Sequence, residues 1–395
     1  MTLDPAHPIL NAQRLIDDIV AGRQTARLLT EELPTRAALE ALRSISNRVL
    51  NYAARHGLIA VPGIDLPSCA RDDICAKPTR ARSALNPDPP SRAIETAVGT
   101  TAALNILSAP SLDEAAQRAD WLIRGQNADT GPAELRSCVK DDPNAAAIVI
   151  KASAGRLGPE LQLRYRVSTP TPTAPNLTGA DAERIARALP REMWSDWSYE
   201  LLRGVSRTTA TRSALSIAVL LVGSTVRPVE ACKLLGEDAS ANALNQRLWL
   251  LCGSDNWDVI CSAATRLSDY LNRHNSPIDY HRRRSLDYSS LLGAEQWKVI
   301  ARRIGDEVAR DEKAAADVRE YLIGRISGNP ATSSPLVKTL LGRLLEGHDS
   351  VRLVSAADML DDYAKRFLRL SDIDEPVIWS PPLQKLVSCA PQNSP

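Results

Sequence analysis

The side chains in this chain best suited to chemistry are basic and amide groups crowded into one stretch. Arg273, His274, His281, Arg282, Arg283 and Arg284 fall within twelve positions, the last four in succession. A guanidinium presents a planar fork of donors that fits phosphate oxygens. Such a run predicts a phosphate-facing patch, extended by Lys298, Arg302 and Arg303 on the next helix. Phosphate neutralisation releases counterions, with a log–log salt slope of roughly −0.9 per contact. The competing reading is a solvated loop, or internal pairing with Asp279, Asp287 and Glu295. Just upstream, SANALNQRLWLL carries Asn242, Asn245, Gln246 and Arg247, the residue types that read adenine and guanine edges. Together these nine residues (Asn242, Asn245, Gln246, Arg247, Arg273, His281, Arg282, Arg283 and Arg284) form the expected DNA-binding set.

The elements that must position them read as helices. In RPVEACKLLG, Pro228 suits an early helical position, Ala231, Cys232 and Leu235 face inward, and Gly236 can supply a turn. The second helix puts Ala243, Leu244 and Leu248 inside. The apolar segment RSALSIAVLLVG before them is the buried support. This is a helix-turn-helix pattern, although any helical hairpin with a glycine turn gives a similar string.

Composition sets the wider frame. A hydrophobic fraction of 44% allows a sizeable core, and a single phenylalanine, Phe367, means that small and aliphatic side chains build it. That favours helix on helix. A net charge of +1 requires any nucleic-acid contact to come from local patches. No run approaches the roughly 18 apolar residues of a membrane span. The first residues show no secretory pattern, and seven scattered cysteines suit reduced thiols, so a cytoplasmic protein without membrane contact is expected.

The expected fold class is all-α. It comprises an N-terminal helical domain over 1–167, a Pro/Thr-rich linker at 168–179, a C-terminal helical domain over 180–370 with the hairpin, and a proline-rich tail at 371–395. ILNAQRLIDDIVAGRQTARLL reads as one helix, with a second beginning near Pro34 and Thr35 as its candidate cap. Residues 58–91, with Arg71, Lys77, Arg80 and Arg82, read as a basic loop. Ser111 with Glu114, and Thr178 with Asp181, mark helix starts. Another helix is expected over 332–345. Trp194, Trp197, Trp249, Trp257 and Trp297 read as core anchors.

Catalytic patterns are scarce. No phosphate-binding glycine loop, dinucleotide fingerprint or zinc-protease helix is present. Cys69 with Cys75, and Cys252 with Cys261, lack the pairing of a zinc site, and neither metal nor cofactor is expected. GSTVRPVEACKLL resembles the first arginine box of tyrosine recombinases. That resemblance implies Arg227 and Arg319 as catalytic arginines, with His348 and Tyr363 as the late histidine and the nucleophile. Ala316 stands where the family has histidine, and the interval from His348 to Tyr363 is longer than the family's. The expected catalytic set is therefore empty, with those four as the alternative.

A broader resemblance covers about 189–328. ALPREMWSDW, EACKLLG, SPIDYHRRRSLDYSSLL, AEQWKVIARRIG and DVREYLIGRISG resemble actinobacterial helical DNA-binding proteins of the TniQ-associated group. The zinc knuckle typical of that group is missing. The resemblance implies an accessory DNA-binding role in transposition or other mobile elements, with mobile-element proteins as partners and no enzymatic activity. Half-sites come in pairs, which suits a homodimer, although no heptad run demands one. The remaining alternative is a helical protein-interaction scaffold without a DNA role.

Overall fold

With aromatic residues at 4% of the chain, most of the core is filled by helices that approach closely through small and aliphatic side chains. The computed structural model describes residues 7–23, 26–28, 31–57, 60–64, 93–124, 143–170, 172–304, 312–329 and 350–383. The chain divides into two compact units, 1–174 and 175–395. The basic residues of the 58–91 loop, Cys69, Cys75, His348 and the helix expected over 332–345 lie outside the described residues.

The first unit contains α1 (Pro8–Val20), β1 (Ala26–Leu28), β2 (Glu31–Leu33), α2 (Thr35–His56), α3 (Ala93–Leu107), α4 (Leu112–Arg124), α5 (Pro143–Ser153) and α6 (Pro159–Arg164). Its core includes Ala41, Ile45, Val49, Val98, Ala103, Leu107, Leu122 and Ile148. α2 and α3 pack closely at Gly99, where a Cβ would stand 2.6 Å from Ser46 Oγ. Ser111 Oγ accepts the Glu114 amide at 3.2 Å and starts α4. The first helix is shorter than its periodicity implied. It stops at Val20, Gly22 adopts φ +67°, and a three-residue antiparallel ladder pairs Ala26 with Leu33. Pro34, not Thr35, occupies the cap position of α2.

The second unit contains α7 (Gly179–Ala188), α8 (Ser195–Leu201), α9 (Thr209–Leu221), α10 (Pro228–Leu234), α11 (Ala241–Cys252), α12 (Trp257–Arg273), α13 (Tyr280–Arg284), α14 (Ala294–Ile304), α15 (Glu312–Ser327) and α16 (Ser350–Leu370). Thr178 and Asp181 close a capping box on α7. α9 is buried along Ser213–Leu221 and packs against α7, α10, α11 and α12. A second apolar cluster gathers Leu291, Val318, Leu322, Ile326, Phe367, Leu368, Ile373 and Val377.

Both proline-rich stretches are held in place where they meet this unit. The amides of Asn176 and Leu177 donate to Gly223 O at 2.9 Å. Residues 371–383, read from sequence as part of a tail, form an extended strap. Val377 is buried, Trp379 meets Trp194 edge-on at 5.9 Å, and Trp197 Nε1 donates to Pro381 O at 3.2 Å.

Candidate nucleic-acid interface

The α10–α11 pair is built from inside outward. Ala231, Cys232 and Leu235 are buried on one helix and Leu244, Leu248 and Leu251 on the other, against the apolar wall of α9. Gly236, at φ +75°, turns the chain out of α10. A Cβ there would meet Arg284 Cδ at 3.2 Å. Ser240 Oγ accepts the Ala243 amide at 3.3 Å and starts α11. Asn242, Asn245 and Gln246 then fall on the solvent side, and all three are exposed.

Arg247 does not join them. Its Nη1 lies 2.8 Å from Glu237 Oε1, and Glu237 is buried. The same carboxylate accepts Ser213 Oγ of α9 at 2.8 Å and Arg191 Nε at 3.3 Å. Burial opposes the charge of Glu237, but the hydrogen bonds from Arg247, Ser213 and Arg191 outweigh it and bring the carboxyl down to about 2. Burial, then the neighbouring Glu237, push the Cys232 thiol up to about 11, which leaves it unreactive. Behind this bridge lies Glu192, 3.4 Å from Arg212 Nη1. Burial drives it up to about 7 against the attraction of Arg212 and Arg191.

The basic run is not a uniform surface patch. It forms the short helix α13, capped by Asp279 Oδ1 accepting the Arg282 amide at 3.1 Å. Arg283 is 0% exposed. Its Nε donates to Glu375 at 2.8 Å, and its other nitrogens donate to the carbonyls of Val377 at 3.1 Å and Pro376 at 2.6 Å. Arg284 is mostly buried and reaches the ends of two helices, donating to Leu189 O at 2.8 Å and Leu234 O at 3.5 Å. Those carbonyls carry the partial negative charge of the α7 and α10 C-termini, so the guanidinium needs no carboxylate. Burial lowers the Arg284 pKa to about 10, and the group stays charged at neutral pH. Arg282 is half-exposed and shares Glu375. Arg273 and His281 face solvent. The expectation that this run faces phosphate is thus corrected at Arg283, which is fully buried, and at Arg284, whose two terminal nitrogens donate to carbonyls inside the fold.

Comparison with known proteins adds no assignment. No family model, curated protein or solved structure matches this chain. The site therefore stands on its own geometry.

The two arginines of the recombinase reading, Arg227 and Arg319, serve separate local roles. Arg227 is exposed at the start of α10 and pairs with Glu230 at 3.3 Å. Arg319 Nη2 donates to the carbonyls of Tyr288 at 2.7 Å and Ser289 at 3.2 Å, bracing the turn before α14. Tyr363 lies on α16 and His348 lies outside the described residues. Among the described residues, no cluster of three or more His, Cys, Asp or Glu could hold a metal ion.

Three features escaped the sequence reading. Glu237 and Glu375 are the carboxylates that neutralise the arginines, and Glu375 lies 92 positions from Arg283. The third is Trp249, expected in the core but 57% exposed beside Leu250 at 55%. A helix turns about 100° per residue, so with Leu244, Leu248 and Leu251 inside, positions 249 and 250 must look outward. That register was legible, and the residue type pointed the other way.

Proposed function

We propose that this chain is a DNA-binding accessory or regulatory protein, in which α10 and α11, backed by α9, act as a helix-turn-helix and α11 enters the major groove. The observation that carries this reading is the solvent face of α11. Asn242, Asn245 and Gln246 stand exposed on its first two turns, where a recognition helix meets base edges, and among the described residues no hydrogen bond engages their amides. The connection Leu235–Ser240 is longer than the three or four residues usual in the motif, and the Glu237 bridge within it holds the two helices together. Arg273, His281 and Arg282 are the members of the basic run with surface left for phosphate. A role in transposition or other mobile elements belongs to the same proposal, supported by the resemblance over 189–328. Retardation of genomic fragments at low salt is the test. Wild type binds, and Asn242→Ala with Asn245→Ala and Gln246→Ala removes its sequence preference. Absence of binding by wild type ends the reading.

One observation favours a second reading, a helical protein-interaction scaffold. Trp249 and Leu250 leave more than half of their surface uncovered on the same helix. Uncovered aromatic surface is enriched at protein interfaces.

A further inference from the structure

We infer that α11 reads adenine–thymine base pairs and carries no guanine reader, because the one arginine on the helix is clamped by Glu237. This inference rests on the proposal that α11 enters the major groove.

The chemistry follows from what each side chain can offer. Guanine presents two acceptors in the major groove, O6 and N7, and is read by a cation with parallel donors. Adenine presents an acceptor and a donor, N7 and the N6 amino group, and is read by a carboxamide that donates and accepts at once. Cytosine offers an amino donor that a carboxylate accepts. The sequence Ala241–Cys252 contains no lysine, aspartate or glutamate, and its single arginine is Arg247. The Arg247 side chain is 25% exposed, 2.8 Å from a carboxylate that is itself 7% exposed. Glu237 does not release it easily, since Ser213 and Arg191 fix the same carboxylate from two other elements. Beyond Ala241 at its first position, what remains outward is Asn242, Asn245, Gln246, Trp249 and Leu250. These are three amides matched to adenine and two apolar groups suited to thymine methyls. The face has no cation for guanine and no carboxylate for cytosine.

The bridge also makes specificity adjustable. Removing the Glu237 charge takes away the group that holds Arg247 inward and gives the helix a guanidinium that can reach guanine.

The experiment is selection of random-sequence duplexes on the purified full chain, followed by affinity measurement with modified probes. The expected result is a short core of adenine–thymine pairs. Replacing a core adenine by its 7-deaza analogue, which lacks the N7 acceptor, weakens binding about tenfold per position, whereas 7-deazaguanine at flanking positions has no effect. Arg247→Met leaves the core unchanged, and Glu237→Gln admits guanine. If either variant fails to fold, the modified probes on wild type decide alone. A selected core containing guanine that is sensitive to 7-deaza substitution overturns the inference. Salt-dependent binding with no selected core also overturns it and leaves DNA contact standing. No binding at any salt concentration removes both the inference and the proposal beneath it.

Discussion

Arg247 Nη1 lies 2.8 Å from Glu237 Oε1, and this ion pair joins α11 to the turn after α10 from the buried side. The pair is not isolated, because Ser213 and Arg191 close on the same carboxylate. Replacing Glu237 by Ala removes the buried acceptor shared by three elements, and loss of one partner of a buried pair typically costs about 3–5 kcal/mol. Urea unfolding of Glu237→Ala is expected to show a loss of that order. A midpoint equal to wild type would show that the bridge is dispensable.

Two buried carboxyls give stability opposite slopes with pH. Glu237 ionises at about 2 in the fold, against an ordinary 4.5, so its contribution is present above 4.5 and is lost as pH falls towards 2. Glu192 is raised to about 7, so the unfolded chain ionises first and stability declines as pH rises from 4.5 through 7. The second effect is on the order of 3 kcal/mol. Arg212 does not depend on that charge, since its Nε and Nη2 donate to Met193 O at 3.2 and 2.9 Å. Glu192→Gln is therefore expected to flatten the decline between pH 5 and 7 in a denaturation series. An unchanged slope would remove Glu192 as its source.

Periodicity made the hairpin helices of the second unit readable, and local chemistry made helix starts readable at Ser111 and Thr178, whereas the five-residue α13 is too short to show a period. What stayed hidden depended on partners distant in sequence. His281–Arg284 reads as surface because four successive basic residues rarely find enough buried acceptors. Here the strap supplies them from Glu375, Pro376 and Val377, and helix ends supply the rest. Arg247 likewise reads as exposed until Glu237, ten positions earlier, is seen turned inward. The β1–β2 ladder was missed because ARLL fits a helix as readily as a strand of three residues.

Arg283 locks the strap to the second unit. Its guanidinium engages Glu375 and two strap carbonyls while fully buried. Lysine carries one nitrogen and cannot reproduce that fork. Arg283→Lys is expected to cost about 3 kcal/mol, the low end for a broken buried pair, with protease cleavage near residue 375 as the local readout. Wild-type resistance at that site in the variant would mean that the strap's other contacts, Trp379 on Trp194, Trp197 on Pro381 and Arg282 on Glu375, hold it without Arg283.

Gly328 ends α15 at φ +70° with Tyr280 and Pro190 against its Cα. A Cβ would stand 2.7 Å from Tyr280 Cδ1 and 2.9 Å from Pro190 Cα. The ring cannot retreat freely, because Tyr280 is buried and its hydroxyl accepts Trp194 Nε1 at 3.3 Å. Gly328→Ala combines a strained backbone with overpacking, and a loss of about 2–4 kcal/mol is expected. Thermal unfolding measures it, and a neutral result would show that this contact relaxes without cost.

Trp249 is the natural reporter of whatever meets α11. It is 57% exposed, whereas Trp194, Trp197 and Trp257 are buried and Trp121, Trp297 and Trp379 are partly covered. Iodide should quench an accessible, long-wavelength component of the intrinsic emission, and Trp249→Phe should remove most of it. Stability should change by no more than about 0.5 kcal/mol, because an exposed ring leaves no cavity behind. Trp249 follows Gln246 by three positions, which brings it onto the same side of α11 as the amides. Duplex DNA bound through Asn242, Asn245 and Gln246 should therefore shield the ring from iodide. Duplex bound only through Arg273, His281 and Arg282 carries no such requirement. Saturating DNA that leaves the quenching constant unchanged would show that binding bypasses α11, and would move the interface from the amides to the basic run.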